Sequence, residues 1–300
     1  MTRRGRRSWT FGTIFLVFLA GAALPLLAQT GYSVRSDGND KQDDYLYSID
    51  LTTGLAAAIG ATGFEDVEGL AFDRKCETLF GVDDVTDRLL TCDIATGACK
   101  QVGNLGVDIT DTGLAFADAF TLYMSTDAPK NPTRFYQVNR ITGKATLIGN
   151  QGQEVTGLAA GPDGIFGLGG DGRDNLVRID PETGAATPIG PLGPIKASDG
   201  GLDFDSDGVL WGVEDAGLRN PSRIFRVDTS TGQATVVATV HLDDGTPLGG
   251  FEGLAVDDGV CTALAGPATA VNVPTVGEWG LAALAALLTV TGLFALRRMR

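Results

Sequence analysis

The sequence predicts an all-β fold, a five-bladed β-propeller closed by one composite blade drawn from both ends of the domain. Three observations predict it. A hairpin with the skeleton Asp-x-x-Thr-Gly recurs along the chain, and a Gly-Leu strand recurs between the hairpins. The series also opens halfway through one unit and stops halfway through another. Four short strands in each period of about 44 residues mark a propeller blade.

The hairpins are LYSIDLTTGLAAAIG from Leu46, LLTCDIATGACKQVG from Leu89, FYQVNRITGKATLIG from Phe135, LVRIDPETGAATPIG from Leu176 and IFRVDTSTGQATVVA from Ile224. Asp50, Asp93, Asn139, Asp180 and Asp228 hold the first turn position, where a side-chain oxygen can accept from turn amides. Gly54, Gly97, Gly143, Gly184 and Gly232 supply the positive φ that closes the turn. These residues read as structural.

The interleaved unit places Gly at 69, 113, 157, 201 and 253, and a second apolar strand follows each: TLFGV, TLYMS, GIFGL, VLWGV and CTALA. Small residues in the first strand suit inner strands that converge on an axis. A solenoid competes as a repeat fold, but it leaves the two half-units unexplained. Residues 45 to 60 form the hairpin half, and 252 to 265 form the Gly-Leu half. Joined, they complete a fifth blade, so the propeller spans 45–265. Residues 29–44 are polar and read as a flexible lead-in, and 266–272 as a linker.

The two ends carry targeting features. Arg3, Arg4, Arg6 and Arg7 precede an apolar run that ends at Leu26-Leu27-Ala28, so 1–28 reads as a signal peptide. An uncleaved anchor is the other reading. At the far end, VPTVGEWG (273–280) precedes an apolar run to Leu296 and then Arg297, Arg298 and Arg300. Residues 280–296 make about 25 Å of helix, near the lower limit for a membrane span. The basic end stays cytoplasmic by the positive-inside rule, which leaves the propeller outside.

This tail resembles the IPTL-CTERM sorting signal of Gram-negative bacteria, with the pattern Ile-Pro-Thr-Leu-x-x-Trp-Gly. Pro274, Thr275, Trp279 and Gly280 match, and Val273 and Val276 stand for Ile and Leu. The resemblance implies recognition and cleavage by an exosortase, so this chain is that enzyme's substrate. It also implies transient anchoring in the inner membrane, then delivery to the envelope, surface or extracellular matrix. The central repeat resembles secreted bacterial propellers with a Leu-Tyr-x-Ile-Asp-x-x-Thr-Gly unit, a likeness that speaks to fold.

Charge excludes some partners. Between the basic ends lie 16 basic and 36 acidic residues. Nucleic acid needs clustered Lys and Arg and is not expected as a partner. A single His, His241, argues against Ser-His and Cys-His catalysis, and it reads as a solvated loop residue.

Three sets of residues could carry chemistry. Asp203, Asp205, Asp207 and Glu214 in DFDSDGVLWGVE match a calcium-loop spacing, although strands flank the segment and an Asp-rich turn explains it as well. Asp66, Glu68, Asp111, Glu154, Asp199 and Glu252 precede the inner strands and should gather at one mouth of the central channel, able to hold a divalent cation. Without His, such a site favours calcium or magnesium. Cys92 and Cys99 flank one hairpin turn and should pair in an oxidising compartment; Cys76 and Cys261 would form the second pair. Trp211, Tyr45 and Tyr47 read as core. The functional expectation is a non-enzymatic exported binding or structural module, with no catalytic residue assigned. The alternative is a divalent-metal-dependent hydrolase or lyase at the acidic mouth.

Overall fold

The computed structural model describes residues 29–36, 44–73, 78–126, 133–170, 172–196 and 199–257. Twenty strands and no helix occur among them. They form five antiparallel sheets of four strands. Blade one is β4 (Val67–Phe72), β5 (Leu79–Asp83), β6 (Arg88–Cys92) and β7 (Cys99–Asn104). Blade two is β8 (Thr112–Phe116), β9 (Leu122–Thr126), β10 (Arg134–Val138) and β11 (Ala145–Asn150). Blade three is β12 (Leu158–Gly161), β13 (Gly164–Gly169), β14 (Asn175–Ile179) and β15 (Ala186–Pro191). Blade four is β16 (Gly200–Phe204), β17 (Leu210–Glu214), β18 (Arg223–Val227) and β19 (Ala234–Thr239).

The composite blade closes the ring, but its second strand differs from the expectation. Its order is β20 (Phe251–Asp257), β1 (Thr30–Arg35), β2 (Tyr45–Asp50) and β3 (Ala56–Ala61). The lead-in at 29–44 is therefore not loose throughout, because Thr30–Arg35 sits between β20 and β2 and bonds to both. The segment Cys261–Ala265, expected in that position, lies outside the described residues. Physically, β1 satisfies the facing backbone edges of both neighbours. Its buried Ser33 hydroxyl donates to the carbonyl oxygens of Glu252 (3.0 Å) and Gly253 (2.7 Å).

Burial explains the strand compositions. β4 and β5 are buried at every position, and β4 is a run of apolar and small residues interrupted by Glu68. The outermost strands, such as β11 and β19, are buried only at their first residue. One apolar cluster fills each of the five junctions between blades. Each hairpin turn closes as expected: the Gly54 amide donates to Asp50 O at 2.7 Å with φ 81°, and Asp50 Oδ1 accepts from Thr52 N at 2.8 Å.

Trp211 is buried in the junction core, and Tyr47 meets Phe251 edge-on at 5.3 Å. Tyr45, expected inside, is 48% exposed, because β2 turns that residue outward at its open end. Cys92 and Cys99 are direct cross-strand partners with Cα atoms 4.0 Å apart, and they form a disulfide. The Cys76–Cys261 pair, the signal peptide, the linker and the sorting tail lie outside the described residues.

Candidate functional site

The inner strands meet so closely that there is no open channel. A Cβ on Gly69 would lie 2.6 Å from Thr112 O, one on Gly113 2.6 Å from Leu158 N, and one on Gly157 2.8 Å from Gly200 O. These glycines, with Gly201 and Gly253, ring a gap too narrow for a water molecule. The expected channel mouth is therefore a blind pit, floored by glycine backbone.

Acids crowd this pit. Strand alternation puts the entry to each inner strand and the exit from each second strand at the same end of a blade. Glu68 and Glu252 stand in β4 and β20, immediately before the ring glycines. Asp66, Asp111 and Asp199 come from the connections into blades one, two and four. Three sets converge: Asp44, Asp66 and Glu252; Glu68, Asp111 and Asp199; and Asp199, Asp215 and Glu252. Within each set the oxygens lie within 4.8 Å of one another.

The pit favours protonation or a cation. Glu68, 6% exposed, has its pKa pushed well up by burial and then by the charges of Asp199, Glu252, Asp84 and Asp111. Burial also raises Asp199 well above the usual range, with Asp111 adding to it and the Gly200 amide opposing. Glu252 is raised by burial and then by Asp199 and Asp66. Asp84 is pushed up to about 8 by burial and by Asp66. Mutual repulsion of buried carboxylates is relieved by a proton or a metal ion. The Oε2 atom of Glu252 is buried and has no hydrogen-bond partner. A buried acceptor left in that state costs about 1–3 kcal/mol.

Of the six acids expected at this end, Glu154 joins none of the converging sets; its carboxylate lies against Gly170 on blade three. Asp44, Asp84 and Asp215 were not expected. Asp84 and Asp215 end the parallel runs Val82-Asp83-Asp84 and Val213-Glu214-Asp215 after second strands, a signal the repeat alignment holds. Asp44 was hidden in the segment read as lead-in. It is fully buried, and its Oδ2 accepts from Val67 N at 2.8 Å.

The calcium-loop spacing does not bring its acids together. Asp203 Oδ1 accepts from Phe204 N, and Oδ2 accepts from Val256 N at 2.9 Å in the composite blade. Asp205 accepts from Asp207 N and Val209 N through Oδ1, and from Trp211 Nε1 at 2.7 Å through Oδ2. Asp207 is exposed in the turn. Glu214 ends β17, 2% exposed, and accepts from Arg223 and from Lys196 N at 2.9 Å. Amides, an indole and a guanidinium hold Asp203, Asp205 and Glu214 where calcium ligands were expected. Beside Glu214, a cleft of about 700 Å³ reaches Asp215 and is lined also by Lys196, Asn220 and Arg223. His241 is not simply solvated: it sits at the closure seam, with Nδ1 2.8 Å from Leu242 O and Nε2 3.3 Å from Thr53 O.

Comparison with known proteins bears on the tail and the fold. The IPTL-CTERM motif matches residues 273–300. The chain carries an IPTL-CTERM motif. That motif implies processing by an exosortase-type enzyme, and a propeller joined to it marks an exported, envelope-sorted protein. No curated protein matches the chain. A chain from a nidogen/laminin complex aligns with TM-score 0.50 and 13% identity, covering 76% of this chain and 98% of that one. TolB from Acinetobacter baumannii aligns with TM-score 0.46 and 15% identity, covering 76% of this chain and 66% of that one. At 13% identity the likeness to the nidogen/laminin chain concerns fold alone.

Proposed function

We propose that this IPTL-CTERM propeller is a non-enzymatic binding module of the envelope or surface, and that its axial pit holds a divalent cation. The observation that carries the reading is the buried, unpartnered Oε2 of Glu252 within two of the converging carboxylate sets. An all-oxygen site without His or Cys favours a hard ion, calcium or magnesium. Asp44, Asp66, Glu68, Asp111, Asp199, Asp215 and Glu252 would supply the ligands. Sorting would follow cleavage near Val273 to Gly280, after transient anchoring through 280–296.

The test is a thermal melt of the full chain in calcium and in chelator. A ligand of the folded state alone adds about 2.7 kcal/mol at 100 times its Kd. The expected result is a raised midpoint in calcium that is lost in Glu252→Gln. An unchanged midpoint would overturn the cation reading. Sorting is tested separately: Trp279→Ala should leave the unprocessed chain in the membrane fraction, and normal processing would overturn the exosortase assignment.

A second reading, a metal-dependent hydrolase or lyase, draws on the 700 Å³ cleft that reaches Asp215, which gives room for a substrate beside the ion. It requires turnover of an ester or lactone that chelator abolishes. Calcium-dependent stability without such turnover leaves the binding module.

A further inference from the structure

The three carboxylate sets are not independent. Glu68, Asp111 and Asp199 form one, and Asp199, Asp215 and Glu252 form another, so Asp199 belongs to both. A carboxylate has two oxygens and can give one to each of two metal ions. Sites built this way hold their ions about 3.5–4 Å apart. We propose that the pit holds a pair of divalent cations bridged by Asp199, one seated by Glu68 and Asp111, the other by Asp215 and Glu252. This inference rests on the reading of the pit as a cation site and goes beyond it in number and connectivity.

Three observations favour a pair. The two sets together bring five carboxylates to one place. One divalent ion would leave most of that charge uncompensated, whereas two bring it near balance. The unpartnered Oε2 of Glu252, a residue of the second set and of the Asp44–Asp66 set, supplies the independent sign of a missing ligand. The two sets also differ in access: Glu68 is buried against the glycine floor, whereas Asp215 lines the open cleft. The inner ion is thus structural in its surroundings, and the outer one faces solvent and any oxygen-bearing ligand in the cleft. The third set, Asp44, Asp66 and Glu252, shares Glu252 with the second but does not contain Asp199 and so stands outside the bridged pair.

The test uses the purified full chain and manganese alone as probe. Equilibrium dialysis counts ions per chain, and electron paramagnetic resonance reports whether they are neighbours. The expected result is two ions per chain with a spin-coupled spectrum. Asp111→Asn and Asp215→Asn should each leave one ion, with the spectrum of an isolated ion. A single ion per chain in the unaltered protein would overturn the pair while leaving the cation reading intact. Two ions without coupling would overturn the Asp199 bridge. No manganese bound would overturn both. Because the unaltered protein decides the stoichiometry, a variant that fails to fold leaves the test intact.

Discussion

The backbone amide of Ala145 donates to the carbonyl oxygen of Leu105 at 2.9 Å, tying the rim of blade two to that of blade one. The same bond recurs at every junction. Cys99 N donates to Thr62 O at 2.8 Å, Ala186 N to Gln151 O at 3.1 Å, Ala234 N to Leu192 O at 3.2 Å, and Ala56 N to His241 O at 2.8 Å. At four junctions a glycine lies two residues before the acceptor: Gly60, Gly103, Gly149 and Gly190. At each, an added Cβ would collide with the threonine carbonyl of the next blade's Thr-Gly turn. Thus the Thr-Gly turn and the Ile-Gly or Val-Gly outer strand belong to one device, a clasp between blades. At the fifth junction Ala238 and Thr239 replace the glycine, and the acceptor falls on His241.

Gly103→Ala should therefore loosen the ring. A methyl group there meets Thr142 O, a backbone atom that cannot rotate away. Overpacking of this kind costs about 1–3 kcal/mol. The expected outcome is a lower urea midpoint with the slope unchanged. An unaltered midpoint would mean that the rim contact is looser than the backbone geometry shows.

Much of this was legible because the repeat imposes the same local chemistry five times. The turn residues Asp50, Asp180 and Asp228, the glycines of the inner strands and the cross-hairpin cysteines each answer a local need visible in sequence. β1 was not legible, because Gly31-Tyr32-Ser33-Val34 lacks the aromatic-Gly-aliphatic pattern of β5, β13 and β17 and a polar stretch separates it from β2. With β1 missed, Asp44 was missed too. The closed axis was hidden for another reason. How near five glycine strands approach depends on the blade count and tilt, which composition does not state. The convergence of acids was readable in part: repeat alignment gave Asp66, Glu68, Asp111, Asp199 and Glu252, whereas Glu154, read with them, joins none of the converging sets and lies against Gly170 of its own blade.

In the Asp203 segment the calcium-loop spacing leaves the carboxylates on separate partners. Asp203 lies in β16 and Asp205 in the turn after the strand ends, so their carboxylates meet different neighbours. Asp205→Ala should destabilise the domain by about 1–3 kcal/mol, because the buried Trp211 indole and two turn amides lose their acceptor. The loss should be equal in calcium and in chelator. A calcium-induced rise in the melting midpoint that disappears in this variant would restore the loop as an ion site.

The turn aspartates set a limit on the acid side. Asp180 is held below the usual carboxylate range, chiefly by the backbone amide of Glu182 and then by Thr183. Asp228 is lowered in the same direction, first by the Ser230 hydroxyl and then by the Ser230 amide. Both are ordinary acids in the unfolded chain, near pKa ~3.9. A carboxyl that is more acidic in the folded state contributes stability above its unfolded pKa and loses it as pH falls through the folded value. The contribution of these turns should therefore be whole at neutral pH and fade below about pH 4. The third hairpin has Asn139 at this position, with Oδ1 accepting from Ile141 N at 2.9 Å, so an amide can fill the same role without titrating. The double variant Asp180→Asn, Asp228→Asn should then fold as the native protein does at pH 7 and lose less stability between pH 4 and pH 2. Urea midpoints across that range check it. Parallel losses in the two proteins would show that the turn carboxylates do not contribute to acid unfolding.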